Sequence, residues 1–418
     1  MSPLPQHPRT ARPLLGVGMV GHSFMGRVHS HAWRSVNAFF DLPMQPDLRV
    51  VAGRDASRVA AAAARLGWAE STTDWRELLD RDDIALIDIC AQGSVHAEVA
   101  IAALEAGKHV LCEKPLANSP AEAEAMARAA AKAAERGVLA MVGFNYRRVP
   151  ALTLARRLVA EGRLGTIRHV RARYLQDWIV DPEHPLVWRL VREQAGSGAL
   201  GDIGAHIIDL AEFLTGDHIT GVSAVTETFV HKRPLGTAGT GIGAQAAGPA
   251  RTGADADVGG SATGIGTVTV DDAAIFLART SGGALATFEA TRFATGRKNA
   301  LSIELNGSRG SVSFDFEAMN DLWFHDHDEP ADTAGFRRIT VTEPTHPYTG
   351  AWWPPGHGLG YEHSFTHQAR DLVEAIATGT APQPSFDDGL RVQRVLAAVE
   401  ASAADHSRWT PVEGRPHP

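Results

Sequence analysis

Leu14-Leu15-Gly16-Val17-Gly18-Met19-Val20, followed by Gly21-His22-Ser23-Phe24-Met25-Gly26, decides the fold. The first seven residues are an apolar run behind Pro13, as in a strand buried on both faces of a parallel sheet. A glycine turn comes next, and a helix opens at about Met25. Strand, glycine turn and helix in that order form a dinucleotide-binding unit: the turn lets backbone approach a pyrophosphate and the helix N-terminus receives it. Two glycine readings compete. Gly16-x-Gly18-x-x-Gly21 fits literally but leaves almost no strand ahead of it. Gly21 to Gly26 has the strand it needs, with Ser23 replacing the middle glycine. The cofactor-binding candidates here are Gly21, Ser23, Phe24, Met25 and Gly26.

The pattern repeats outward. Leu48 to Gly53, Ile84 to Cys90, His109 to Cys112 and Val138 to Phe144 read as further strands. Helices separate them: Val59 to Leu66 ended by Gly67, Ala97 to Ala106 ended by Gly107, and one capped by Asn118-Ser119-Pro120. Alternation of this kind predicts an α/β fold with a doubly wound parallel sheet, whose ligands sit at the carboxyl ends of the strands. At the end of the second strand an acid would bond the adenosine ribose, whereas arginine accommodates a 2′-phosphate. Gly53-Arg54-Asp55 stands there, with Arg58 one turn after Arg54. The cofactor expectation is NAD(P), leaning to NADP through Arg54 and Arg58; the competing reading makes Arg54 a solvated surface charge. Glu113-Lys114-Pro115 follows the His109 to Cys112 strand directly, and His96 lies in the same crevice. His96, Glu113 and Lys114 join the cofactor-binding candidates, with Lys114 projecting toward the nicotinamide end.

Ser197 to Leu210 is a glycine-rich turn that becomes an apolar helix. Residues three and four apart share a helix face, so Asp202 stacks on His206, with Asp209 one turn on. A carboxylate beside an imidazole poises a general base. Taken alone, the pair reads first as a buried histidine satisfied by its neighbour.

Around it, Pro150 to Glu161 reads as a helix and Ile167 to Gln176 as a strand with one solvated face. Val222 to Phe229, Asp272 to Arg279, Ala284 to Ala290 and Leu301 to Leu305 read as further strands. Gln176, Asp177 and Trp178, then Trp188 and Arg189, set polar groups beside aromatic rings, a mixture that suits a sugar. Core packing is the alternative for either tryptophan alone. Gly236 to Gly266 has no periodicity and is expected to be a flexible insertion. His325 and His327 lack metal-ligand spacing and read as a solvated loop, so no metal is predicted. His346-Pro347-Tyr348 and Trp352-Trp353-Pro354-Pro355 form an aromatic loop suited to a subunit interface or a lid. Phe365 to Ala377 and Gly389 to Ala401 read as closing helices.

Composition narrows the function classes. The chain has 418 residues, 44% apolar and 21% charged, with net charge −8. That length favours two domains. The acidic balance, without a long basic run, argues against nucleic acid or an anionic membrane as partner. No apolar run reaches the roughly 18 residues of a membrane span. Cys90 and Cys112, the two cysteines, lie in apolar runs and read as buried reduced thiols. A cytoplasmic protein is expected.

Gly21 to Gly26 behind a strand, Glu113-Lys114-Pro115, and Gly201-Asp202-x-x-x-His206-x-x-Asp209 together resemble the Gfo/Idh/MocA oxidoreductase family, and within it the levoglucosan dehydrogenase-like branch. Phe24-Met25-Gly26 with His29-Ser30, Phe144 to Arg148, Tyr174 to Trp178, Ala195 to Ile203 and Glu289 to Arg292 carry the closer likeness. The resemblance implies a Rossmann domain over residues 1–145 and a second α/β domain over 146–418 with an open, mostly antiparallel sheet. It implies Lys114, Asp202 and His206 as the catalytic set. On the substrate side it adds Tyr146 and Arg147 to Gln176, Trp178, Trp188, Asp202 and His206. The implied substrate is a sugar, inositol or related polyol, and the implied assembly a homo-oligomer, dimer or tetramer. The chain departs from the family with Gln92-Gly93 where Pro-Asn is frequent ahead of His96. Gly53 stands where the branch has an acid; the run with Arg54 and Arg58 is instead similar to NADP-using dihydrodiol dehydrogenases. Two other readings stay open on this scaffold: a glycoside hydrolase or lyase acting through transient oxidation and elimination, and a dinucleotide-binding regulator without turnover.

Overall fold

The computed structural model describes residues 12–235 and 264–413. Strands β1 (Leu14–Val20), β2 (Gln45–Ala52), β3 (Glu70–Thr72), β4 (Leu86–Ile89), β5 (His109–Cys112) and β6 (Ala140–Val142) form a parallel sheet in the order β3-β2-β1-β4-β5-β6. Helices α1 (Phe24–Phe39), α2 (Ala56–Leu66), α3 (His96–Glu105) and α4 (Pro120–Ala134) connect them. Apolar runs make the central strands: every residue of β1 after Leu14 is buried, as is all of β4. Strand order reverses between β1 and β4, and a ligand crevice opens at such a switch point. The doubly wound sheet expected from the sequence is therefore present. β3 is an addition, because Glu-Ser-Thr carries no apolar signal.

Next come α5 (Pro150–Ala160), β7 (Ile167–Leu175), the short α6 (Arg192–Ala195), α7 (Ala205–Thr215) and β8 (Ile219–Glu227). A small ribbon pairs β9 (Lys232–Pro234) with β10 (Ile265–Thr267). Strands β11 (Ala273–Thr280), β12 (Leu285–Thr291), β13 (Ala300–Gly307), β14 (Gly310–Asp315), β15 (Asp321–Asp326) and β16 (Arg337–Thr340) follow, then α8 (His363–Thr378), α9 (Phe386–Ala404) and β17 (Thr410–Pro411). The second sheet is mixed, in the order β16-β15-β14-β13-β7-β12-β11-β8-β17. Only β7 and β12 run parallel; its other pairs are antiparallel. Residues alternate along β11 between buried and exposed, so one face meets the helices and the other is open.

Two expectations need correction. His325 sits in β15, opposite Ser311, rather than in a loop; the aspartates at either end of it, Asp321 and Asp326, mask a strand whose Leu322 and Phe324 are buried. The expected 236–266 insertion lies outside the described residues through 263, but Ile265–Thr267 is the strand that closes the ribbon. The aromatic loop is fastened down: Trp352 stacks on Phe39 at 4.1 Å and donates its indole N–H to His367 Nε2 at 2.7 Å. Helix α8, which carries His367, returns to the first sheet, where Phe365, Leu372 and Val373 share a core with Leu15 and Trp33. Cys90 and Cys112 are both free and buried. Among the described residues, no helix is long and apolar enough to cross a membrane.

Candidate active site

A cavity of about 820 Å³ runs from the carboxyl ends of β1, β2 and β4 to the wall made by β7 and the segment before α7. At its first end, Gly21 has φ +99°, a conformation side-chain-bearing residues rarely adopt, and a Cβ there would lie 2.7 Å from the Cys90 carbonyl. Ser23, the N-cap of α1, makes no side-chain capping bond, so the first N–H groups of the helix remain available for an anion. Gly21, Ser23, Phe24 and Met25 line the cavity; Gly26 sits behind them, against the Gly21 carbonyl. Arg54, Asp55 and Arg58 line it at the end of β2. The turn and the open helix end fit a dinucleotide pyrophosphate, which these residues would hold.

Glu113 and Lys114 leave β5 into the crevice. Lys114 Nζ donates to the main-chain oxygen of Asp202 at 2.7 Å and lies 3.4 Å from its carboxylate. His96 lines the same wall, but its ring nitrogens face the Pro115 and Ala91 carbonyls at 3.1 and 3.2 Å. It ties β4 to the Lys114 turn, and burial holds its pKa below the ordinary value.

Asp202 belongs to a π-helical turn, Leu200–Gly204, that precedes α7. Such turns recur at functional sites because the wider coil re-aims side chains. This one is held from a distance: Asp271 accepts from the Gly198 and Leu200 N–H groups at 2.7 and 2.8 Å. A Cβ on Gly198 would stand 1.7 Å from the Asp271 carbonyl, so only glycine allows that approach. Three cations converge on Asp202: Lys114, Arg292 at 3.8 Å and Arg189 at 4.0 Å. Burial opposes its ionisation, but these charges outweigh burial and pull its pKa down to about 2. Its Oδ2 and the Nε of Arg189 are buried without hydrogen-bond partners.

His206 lies on the first turn of α7, its ring 4.5 Å from that of Tyr146. Its Nδ1 is buried without a partner. Burial, then the charge of Lys114, push its pKa well below the ordinary value, with Asp202 opposing. The expected Asp202–His206 hydrogen bond is absent, because the π-turn shifts the two off a common helical ladder. Asp202 turns to Lys114 instead.

The far wall is a hydrogen-bonded chain. Trp178 donates to Gln176 at 3.1 Å, Gln176 to Asn299 at 2.9 Å, Tyr174 to Asn299 at 2.7 Å, and Tyr146 and Tyr174 share a bond of 2.8 Å. Trp188 lies beneath the Arg189 guanidinium at 4.4 Å. Tyr146, Gln176, Trp178 and Trp188 thus line the cavity as expected. Arg147 does not: it turns inward onto Asp209 at 2.9 Å and lies 3.5 Å from Asp388. Adjacent residues of a tight turn point opposite ways, so Tyr146 takes the cavity and Arg147 the core. Asp177 and Arg189 also line the wall, in keeping with the polar and aromatic mixture read from the sequence, and Lys298, Asn299 and Tyr361 join them without a signal in the sequence. Nothing in the spacing of Lys298-Asn299 marks it.

A family model described as "Oxidoreductase family, NAD-binding Rossmann fold" matches residues 15–144, and "GFO/IDH/MocA C-terminal domain" matches 152–313. The levoglucosan dehydrogenase of Pseudarthrobacter phenanthrenivorans is 42% identical over 95% of this chain and 98% of its own. Among solved structures, an oxidoreductase domain protein from Kribbella flavida superposes with TM-score 0.88 at 61% identity, over 96% of this chain and 100% of that one. A levoglucosan dehydrogenase in complex with NADH and levoglucosan does so with TM-score 0.86 at 39% identity, over 96% and 100%.

Proposed function

We propose, from the premise that this chain belongs to the Gfo/Idh/MocA oxidoreductase family, that it moves hydride between a secondary alcohol of a sugar or polyol, such as an anhydrosugar or inositol, and a nicotinamide nucleotide. The convergence of Lys114, Asp202 and a partnerless His206 at the strand-end cavity carries this reading. A nicotinamide nucleotide held at Gly21, Ser23, Phe24 and Met25 would supply the hydride acceptor for the carbinol carbon. His206, kept neutral by its surroundings, takes the hydroxyl proton. Lys114 donates to the same oxygen and stabilises the charge that develops on it. Asp202 Oδ2 accepts from a neighbouring hydroxyl. Tyr146, Gln176, Trp178 and Trp188 offer rings and amides to the remaining sugar surface.

For the nucleotide, the reading favours acceptance of a 2′-phosphate by Arg54 and Arg58. Two observations support it. A Cβ on Gly53 would meet the His22 ring at 2.5 Å, so a ribose-binding acid there would have to displace that side chain. Asp55, next to Arg54, spends its Oδ1 on the cap of α2, accepting the Arg58 N–H at 2.9 Å and the Ser57 hydroxyl at 2.8 Å, and its Oδ2 lies 3.8 Å from Arg58 Nε. The open face of the second sheet supports self-association: Val225 lies opposite Ile275, with Leu277 beside them, and these are 54%, 52% and 57% exposed. Contiguous apolar area of this kind marks an interface. Leu277→Asp should then lower the mass measured by sedimentation, and an unchanged mass refutes this interface.

The activity is tested by incubating purified protein with NAD or NADP and a panel of anhydrosugars, inositols and aldoses while following reduced-nicotinamide absorbance. Turnover with a polyol supports the reading. Tight dinucleotide binding without turnover on any of them, or release of an aglycone without net reduction, overturns it.

A further inference from the structure

A chain of buried ionisable groups lies behind the cavity, and neither the fold nor the proposed chemistry accounts for it. His29 on α1 is 2% exposed, Asp88 on β4 0% and Glu113 after β5 4%. His29 Nδ1 stands 3.0 Å from both oxygens of Asp88, and its Nε2 stands 3.1 Å from Glu113 Oε1. Asp88 also accepts the Trp33 indole N–H at 2.7 Å and the Cys90 thiol at 3.5 Å. The Phe365 ring of α8 closes the pocket at 5.4 Å from the imidazole. Cys112, His96, Tyr146, Tyr361 and Arg189 are the further titratable neighbours, each through Glu113. Apolar side chains would fill this space at no electrostatic cost.

The geometry specifies a protonation state. A neutral imidazole has one N–H and one lone pair, whereas the imidazolium has two donors. Both nitrogens of His29 face carboxylate oxygens, so a neutral ring would aim its lone pair at one of them. Burial works against a charge on His29. The charge of Asp88, aided by Cys90 and the hydrogen bonds to both, outweighs burial and raises its pKa well above the ordinary value.

The chain ends at the catalytic turn. The second oxygen of Glu113 accepts the main-chain N–H of Lys114 at 3.3 Å. Gly143 makes room for the carboxylate, since a Cβ there would lie 2.8 Å from Oε1. One end of the Glu113 carboxyl therefore rests on the imidazole, and the other on the residue whose ammonium reaches Asp202.

We infer that His29 is a positioning residue: held as a cation between Asp88 and Glu113, it seats Glu113 on the Lys114 amide and so sets where the Lys114 ammonium meets the reacting oxygen. This rests on the reading of Lys114 as donor to that oxygen, and the two fail in different ways.

The protonation state is read first, without ligand, from nitrogen-15 NMR of histidine-labelled protein. The His29 signals, assigned by their loss in His29→Gln and by their shift in Glu113→Gln, should be those of a doubly protonated ring at neutral pH and above, past the usual histidine range. An unprotonated ring nitrogen near neutral pH overturns the inference. Kinetics of His29→Gln and Lys114→Met then run side by side. In His29→Gln, kcat should fall roughly 10- to 100-fold, the scale of a small misplacement, while KM and dinucleotide affinity stay within about 3-fold. Undiminished kcat in His29→Gln beside a dead Lys114→Met overturns the role of His29. Full activity of Lys114→Met overturns the Lys114 reading and leaves the imidazolium signal intact. Should His29→Gln fail to fold, Glu113→Gln, which keeps the shape of the seat, carries the same kcat expectation, and normal turnover there overturns the inference.

Discussion

Lys114 Nζ donates to the peptide oxygen of Asp202 at 2.7 Å and stands farther, at 3.4 Å, from its carboxylate. The anchor of the lysine is thus backbone, which leaves Asp202 Oδ2 for another donor. Asp202→Asn should keep Lys114 in place while removing the one negative charge among Lys114, Arg189 and Arg292. Loss of a charge-assisted acceptor predicts a fall in kcat/KM of about 10- to 100-fold, measured by steady-state kinetics with unchanged dinucleotide binding. The pH sign follows from its low pKa. A carboxylate depressed from 3.8 to about 2 is ionised above its unfolded value and loses that form only as pH falls toward 2. Between about pH 5 and about pH 9 no activity limb should come from Asp202. A limb in that window that vanishes in Asp202→Asn contradicts the assignment.

His206→Ala should lower turnover about 10²- to 10⁴-fold, the usual cost of removing a general base, with dinucleotide affinity barely changed. Its pKa lies well below 6.5, so the base-competent neutral ring persists below the normal histidine range. The acid limb of kcat/KM should therefore fall below 6.5 as well. A limb near 6.5 that His206→Gln abolishes would show a solvated histidine instead.

Much of this was legible in the sequence, and the reasons are specific. β1, β4 and β5 are apolar runs bounded by turns, so parallel strands buried on both faces declare themselves. Lys114, Asp202 and His206 stand in local patterns that a reader can find. What stayed hidden depends on long-range contact. Asp271 caps the turn at Gly198 from 73 residues away, and Arg292 reaches Asp202 from β12's end. The π-turn arises from that tertiary capping rather than from any propensity of Leu-Gly-Asp-Ile-Gly, so the sequence supports only an ordinary helix there. His29 lay inside the fingerprint helix, where periodicity marks it as core and says nothing of the carboxylates it meets.

Arg147 belongs to the core rather than to the cavity wall. A place in a recognisable motif put it beside the substrate, whereas its guanidinium lies on Asp209, with Asp388 nearby. Breaking a buried ion pair by removing one partner costs about 3–5 kcal/mol. Arg147→Met should show that loss in urea denaturation, while KM of the folded fraction stays within about 2-fold. A raised KM at unchanged stability would return Arg147 to the substrate.

The end of β2 gives the sharpest test of the nucleotide. Arg54 and Arg58 line the cavity beside Asp55, whose carboxylate already caps α2 and lies 3.8 Å from Arg58. An arginine that holds a phosphate contributes a charge-assisted hydrogen bond, worth about 1.5–3 kcal/mol or roughly 10- to 100-fold in affinity. Calorimetry with wild type and Arg54→Ala should therefore show NADP binding more tightly than NAD, and the variant losing that margin for NADP alone. Equal losses for both nucleotides would place Arg54 near the shared adenosine. A preference for NAD untouched by the substitution would make Arg54 a surface charge and leave the ribose to donors elsewhere on the wall. Because Gly53 has no room for an acid while His22 holds its place, Gly53→Asp alone should weaken both nucleotides. Only with His22→Ala should it raise NAD affinity over NADP.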